Sequence, residues 1–147
     1  MAKQVALPSP LVSLHPNTPR INVGPGGVID PNDAPARFLV GQRERGTVVW
    51  VVTNTSGKPI TVTLTDFMLK NGMFDKKGTV PVPCMQWLTG SAAVQVDDGK
   101  TALLGAMIHP DYKLKGIFDH VSYTIQVRSQ AGAFDDVDYD PDGDIKP

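Results

Sequence analysis

Apolar and polar residues alternate along much of this chain, and the alternation has the period of a β-strand. In ITVTLTDF (60–67), Ile60, Val62 and Leu64 fall on one face and Thr61, Thr63 and Thr65 on the other, which predicts one core face and one wet face. VSYTIQVR (121–128) repeats the pattern, with Val121, Tyr123, Ile125 and Val127 opposed to Ser122, Thr124 and Gln126. TVVWVVTN (47–54) is apolar on both faces, which predicts a strand central to its sheet and covered on both sides. Shorter strands are expected in ARFLVG, SAAVQV, TALLGAMI and AFDDVDYD. TVPVPCMQWL (79–88) carries prolines at alternate positions and fits an edge strand only, because proline cannot donate to a ladder.

The segments between these runs read as turns. GQRERG (41–46) is a charged turn, and HPDYKLKG (109–116) is a loop. Asn54–Pro59 and Asp97–Lys100 are expected as hairpin connections, with Gly57 available for a positive φ. DFMLKNGMFDKKG (66–78) is expected as a connecting loop or one helical turn around the Asn71-Gly72 turn signal. About seven to nine short strands with turns between them predict an all-β, antiparallel two-sheet sandwich.

Composition agrees. Seventeen Val and eleven Thr stand against a single Glu, Glu44, which disfavours helices and suits pleated surfaces. At 147 residues the chain is expected to form one sandwich domain over residues 37–147. Residues 1–36 hold more than half of the thirteen prolines, and Pro8, Pro10, Pro16 and Pro19 predict an extended arm. Within that stretch GPGG (24–27) and DPNDAP (30–35) read as turns, and the PxxP spacing of Pro16 and Pro19 reads as a leader packed along the domain or a neighbour. No apolar run is long enough to span a bilayer, and prolines interrupt the first residues before a secretory h-region develops, so a cytoplasmic location is expected. With one cysteine, Cys84, the fold stands without an intramolecular disulfide.

The net charge of −1 conceals an asymmetry. Residues 135–147 carry six Asp and one Lys, a balance of −5, while the rest carries thirteen Lys/Arg against nine Asp/Glu, a balance of +4. The basic residues neither cluster nor interleave with aromatics, which argues against nucleic acid as a partner. The acidic segment supplies the best candidate site. Asp138, Asp140, Asp142 and Asp144, with Gly143, match the first half of a D-x-D-x-D-G calcium loop, whose alternate carboxylates converge on a hard cation. The bidentate Glu of such a loop would fall at position 149, beyond the last residue, so calcium would need ligands from elsewhere. The alternative is a strand whose alternate aspartates face water.

Other chemistry is poorly served. A type 1 copper site needs two His, a Cys and an axial Met at set spacing. Cys84 is followed at once by Met85, and His15, His109 and His120 are scattered. No elbow or orienting motif surrounds Cys84 that would make it a nucleophile, although a pocket joining it to His109 or His120 is the enzymatic alternative. GPGG lacks the strand and helix of a phosphate cradle. Trp50 reads as core, and Met85 and Trp87 as core residues close to an exposed edge.

Two stretches resemble small, mostly uncharacterised bacterial proteins with an immunoglobulin-like or cupredoxin-like sandwich. Trp50, Val52 and Asn54 fit their W-x-V-x-N strand. Tyr123, Ile125 and Val127, followed by Asp140-Pro141-Asp142 and Ile145, fit their closing strand and acidic segment. The likeness covers about half the chain, and the Pro-rich leader and residues 66–90 depart from it. It implies a sandwich without catalytic activity. The expected function is a structural or protein-interaction module that is not an enzyme. One concrete form is a self-assembling coat, decoration or filament subunit that uses its arm and edge strands to contact other copies. The alternative is a calcium-binding module centred on the four aspartates.

Overall fold

The structure is a computed structural model and describes residues 18–29, 37–41, 46–71, 77–116 and 118–146. Eleven strands lie among them: β1 (Arg20–Val23), β2 (Phe38–Gly41), β3 (Thr47–Asn54), β4 (Ile60–Leu69), β5 (Val80–Pro81), β6 (Met85–Trp87), β7 (Ala93–Val96), β8 (Thr101–Ile108), β9 (Asp119–Ser129), β10 (Val137–Tyr139) and β11 (Asp142–Lys146). They form two sheets. One has the order β1-β3-β8-β6, and the other runs β2-β11-β9-β4-β5, with β10 also on β9 and β7 also on β4. This is the two-sheet sandwich that the alternation predicts. Most pairings are antiparallel, while two peripheral ones, β1 on β3 and β2 on β11, are parallel.

The inward positions of both sheets meet in one core. Val48, Trp50, Val52 and Leu104 come from the smaller sheet, and Ile60, Val62, Leu64, Val121, Tyr123, Ile125 and Val127 from the larger, all buried. Trp50 and Tyr123 tie the sheets together, since the indole Nε1–H donates to Tyr123 Oη at 3.0 Å. Phe38 meets Trp50 edge-on at 5.8 Å between centroids, and Phe67 stacks on Tyr123 at 5.1 Å. Such pairs contribute about 0.5–1.5 kcal/mol each beyond the area they bury.

Three expectations change in the folded chain. First, β3 is covered less evenly than its apolar pattern implies. Its inward residues are fully packed, but on the outward side Val49 is half-buried and Val51 is screened largely by its own sheet, between Arg20 of β1 and Leu103 of β8. Second, neither expected hairpin is one. The reversal at 54–59 leads from β3 in one sheet to β4 in the other, and that at 97–100 leads from β7 back to β8. Buried Asn54 stitches these two corners together. Its Nδ2 donates to Lys58 O (2.7 Å) and Val96 O (2.9 Å), its amide donates to Lys100 O (2.9 Å), and its carbonyl accepts from Gly99 N–H (2.7 Å). The turn residues decide that the chain reverses, whereas long-range contacts decide which sheet receives it.

Third, residues 66–69 belong to β4 rather than to a loop or a helical turn. Thr65 pairs with Thr124 and Met68 with Ser122, so one extra residue bulges out of β4 between them. Asp66 takes the left-handed conformation there, at φ 55°, a region that Asp enters more readily than most residues. The bulge shifts the alternation by one, which turns Phe67 inward onto Tyr123. The arm expected over residues 1–36 lies mostly outside the described residues, and so do Pro16 and Asn17 of its PxxP stretch. Of the described part, Arg20–Val23 forms β1, with Ile21 and Val23 fully buried.

Candidate interaction surface

The four aspartates of the acidic segment are dispersed by their strands. Asp142 and Asp144 point outward from β11, while Gly143 between them and Ile145 after them are buried. Gly143 is required here, because a Cβ at this position would lie 2.1 Å from the Phe38 ring. Asp142 Oδ2 lies 3.3 Å from the ammonium of Lys70, whose side chain is only 2% exposed. Asp144 accepts from Arg37 Nη2 at 2.8 Å and from His120 Nδ1 at 2.6 Å. Burial pushes the Asp144 carboxyl up, but the hydrogen bonds from Arg37 and His120 outweigh this and hold it below the ordinary carboxylate range. Asp140 accepts from Thr124 Oγ1 at 2.8 Å, and exposed Asp138 lies opposite Gln126 on β10. Among the described residues, no group of three or more His, Cys, Asp or Glu side chains is arranged to hold a metal ion. Sequence spacing placed the four carboxylates together. The fold gives three of them separate partners, Thr124 for Asp140, Lys70 for Asp142, and Arg37 and His120 for Asp144.

Cys84 is no better placed for chemistry. It is fully buried, and burial pushes its thiol up to about 12, so it stays protonated at neutral pH. His109 meets it through the backbone, donating its amide to Cys84 O at 2.8 Å, while His109 Nδ1 accepts from the Asp111 amide. His120 is engaged with Asp144. Nearby, buried Asp119 accepts from Tyr112 Oη (2.5 Å) and from the amides of Lys115 and Gly116, which pins residues 112–116.

What remains available lies along the sheet borders. Among the described residues, β1, β2, β5, β6, β7 and β10 each hydrogen-bond a single neighbouring strand. Three exposed apolar side chains sit at these borders: Leu39 on β2, Val80 on β5 and Leu88 directly after β6. Beside β5 and β6 a groove of about 430 Å³ opens, lined by Asp66, Phe67, Met68, Pro81, Val82 and Pro83. Phe67 reaches from this groove to Trp87 of β6, with 6.0 Å between ring centroids. Alternate prolines marked 79–88 as an edge in the sequence, but the groove itself depends on the β4 bulge, for which no local pattern exists.

The fold has counterparts among solved structures. The chain resembles the CupB2 chaperone of Pseudomonas aeruginosa (TM-score 0.54, 16% identity, 76% of this chain and 53% of that one). It also resembles the E. coli chaperone DraB (TM-score 0.57, 10% identity, 76% and 52%). A third likeness is to a Salmonella enterica structure of SafA pilin in complex with the SafB chaperone (TM-score 0.53, 12% identity, 76% and 51%). At these identities the shared property is the immunoglobulin-like β-sandwich. The chain spans about half the length of the chains it matches. No family model matches the chain. No curated protein matches it either.

Proposed function

We propose that this chain is a non-enzymatic protein-binding module that takes up segments of other protein chains along its sheet borders. One observation carries the reading: exposed Leu39, Val80 and Leu88 lie on or next to strands that are hydrogen-bonded on one side only among the described residues. A border of this kind offers main-chain hydrogen bonds for affinity and apolar side chains for contact, the arrangement used in strand addition. The reactive groups of the chain point the same way, since Cys84 is buried and protonated and Asp144 is held between Arg37 and His120. A chaperone of similar fold solved together with a pilin lends support by analogy. Self-assembly is the form of this function in which the partner is another copy, and the opposite charge balances of the acidic segment and the remainder favour it.

The test places a photo-crosslinking residue at Leu39, Val80, Leu88 or Asp138 in turn, in cells of the source organism. At least one position is expected to yield a defined protein adduct. Light scattering of the purified chain from micromolar to millimolar concentration then tells self-association from capture of a different protein. No adduct at any position, together with a strict monomer, overturns the reading. So does rapid alkylation of Cys84 by iodoacetamide in the folded protein at pH 8, because it would reveal an accessible thiolate.

A further inference from the structure

We infer that the free side of β6, together with the groove at the β4 bulge, binds an extended peptide segment in which a lysine or arginine stands two residues from aliphatic side chains, so that they share one face. The inference rests on the protein-binding reading above and assigns it a place and a ligand chemistry.

Ladder geometry defines the first element of the site. In an antiparallel pair, alternate residues direct their amide and carbonyl groups to the partner strand, and those between direct them away. On β6 the partnered set is visible: Leu88 N–H donates to Gly105 O at 2.9 Å, and Cys84 O accepts from His109 N–H at 2.8 Å. By alternation Gln86 belongs with them, and Met85 and Trp87 turn their backbone groups outward. Trp87 O is used by Gly90 N–H at 3.3 Å. The Met85 N–H, the Met85 carbonyl and the Trp87 N–H face no strand among the described residues. An added segment finds two donors and an acceptor there, in the register of a short β-pair.

The groove supplies the second element. Its volume of about 430 Å³ lies within the range of ligand sites, roughly 300–1,000 Å³. Pro81 and Pro83 bring apolar surface and no N–H, and Phe67 and Val82 add to it, so this wall selects aliphatic side chains and offers polar ones nothing. Asp66 supplies the third element. It is exposed, it lines the groove, and it has no hydrogen bond or ion pair with any described residue. Alternate residues of an extended segment share a face, so a carboxylate beside an apolar wall complements a cation two residues from an aliphatic one and repels an acidic segment.

The probe is the peptide acetyl-Val-Thr-Lys-Thr-Val-amide, titrated into the ¹⁵N-labelled full chain and followed by NMR. Saturable shifts confined to Phe67, Met68, Val82, Met85 and Trp87 are expected. Asp66→Asn, which keeps a residue tolerant of positive φ, is expected to weaken binding about three- to fivefold. Methylating the backbone amides of the peptide is expected to weaken it about fivefold or more, through lost backbone hydrogen bonds. Replacing the lysine by glutamate should reduce it at least as far. The inference is overturned by shifts confined to another border, by no shifts at several millimolar peptide, or by equal binding of the N-methylated peptide and of Asp66→Asn. These outcomes leave the protein-binding reading intact if cross-linking succeeds at a different strand, so the two fail separately.

Discussion

Asp144 and Asp66 both sit at the surface of the larger sheet, yet they differ in what they are free to do. Asp144 projects from β11 between Arg37 and His120, and its neighbour Asp142 lies against buried Lys70. Asp66 projects from a bulge in β4 beside an apolar groove and pairs with no described side chain. The acidic segment, with six aspartates in thirteen residues, is the conspicuous one in the sequence. Its paired members are committed to holding β11 in place. Local density of charge is therefore a poor guide to a binding site, because what counts is whether the fold has already supplied the counter-ion.

That contrast can be attacked from both sides. The largest effect is expected from Gly143→Ala, which drives a methyl into the Phe38 ring beneath the acidic strand. Urea denaturation should show a loss of about 3 kcal/mol, at the upper end for an overpacked core. A variant of unchanged stability would mean that β11 is not seated as described. On the other side, Asp66→Val forces a β-branched residue into positive φ and should cost about 1–3 kcal/mol by the same assay.

Asp144→Asn should cost about 1 kcal/mol at neutral pH, since Asp144 is mostly buried while Arg37 is half-exposed and screened by water. The sign with pH follows from the direction of the shift. Asp144 is held below its ordinary value of 3.8, so its contribution is fully present above that pH and is lost as the pH falls through the lower folded value. Melting curves of parent and variant should therefore converge in strong acid, and a gap that persists there would contradict the ion-pair account. A smaller effect is expected of Asp66→Asn, which should change stability by no more than about 0.5 kcal/mol. A large loss would show that Asp66 is also a structural residue. Least of all is expected from calcium: millimolar calcium should leave the melting temperature unchanged, because three of the four aspartates are separately engaged. A clear rise with calcium would restore the metal reading.

Much of this was legible along the chain. Period-2 alternation is a local property, so Ile60, Val62 and Leu64, and likewise Val121, Tyr123, Ile125 and Val127, could be assigned to the core, where the structure buries them. Proline at alternate positions in 79–88 marked an edge, because a missing N–H is equally local. Residues 66–69 and the acidic segment were not legible in the same way. A bulge is defined by what lies opposite, and nothing in Asp66-Phe67-Met68 announces that Thr65 and Met68 will pair two residues apart on β9.

The sequence by itself determined that the chain would fold as stacked β-sheets, that 47–54, 60–65 and 121–128 would be strands, and which faces of the last two would be buried. Alternation, β-branching and proline act within a few residues, and this is enough for all three. Tertiary structure alone decided that the turns at 54–59 and 97–100 cross between sheets, that Lys70, Arg37 and His120 find Asp142 and Asp144, and that Asp66 meets no counter-ion among the described residues. Those outcomes depend on groups brought together from distant parts of the chain, and pairing at a distance leaves no mark in the spacing of neighbours.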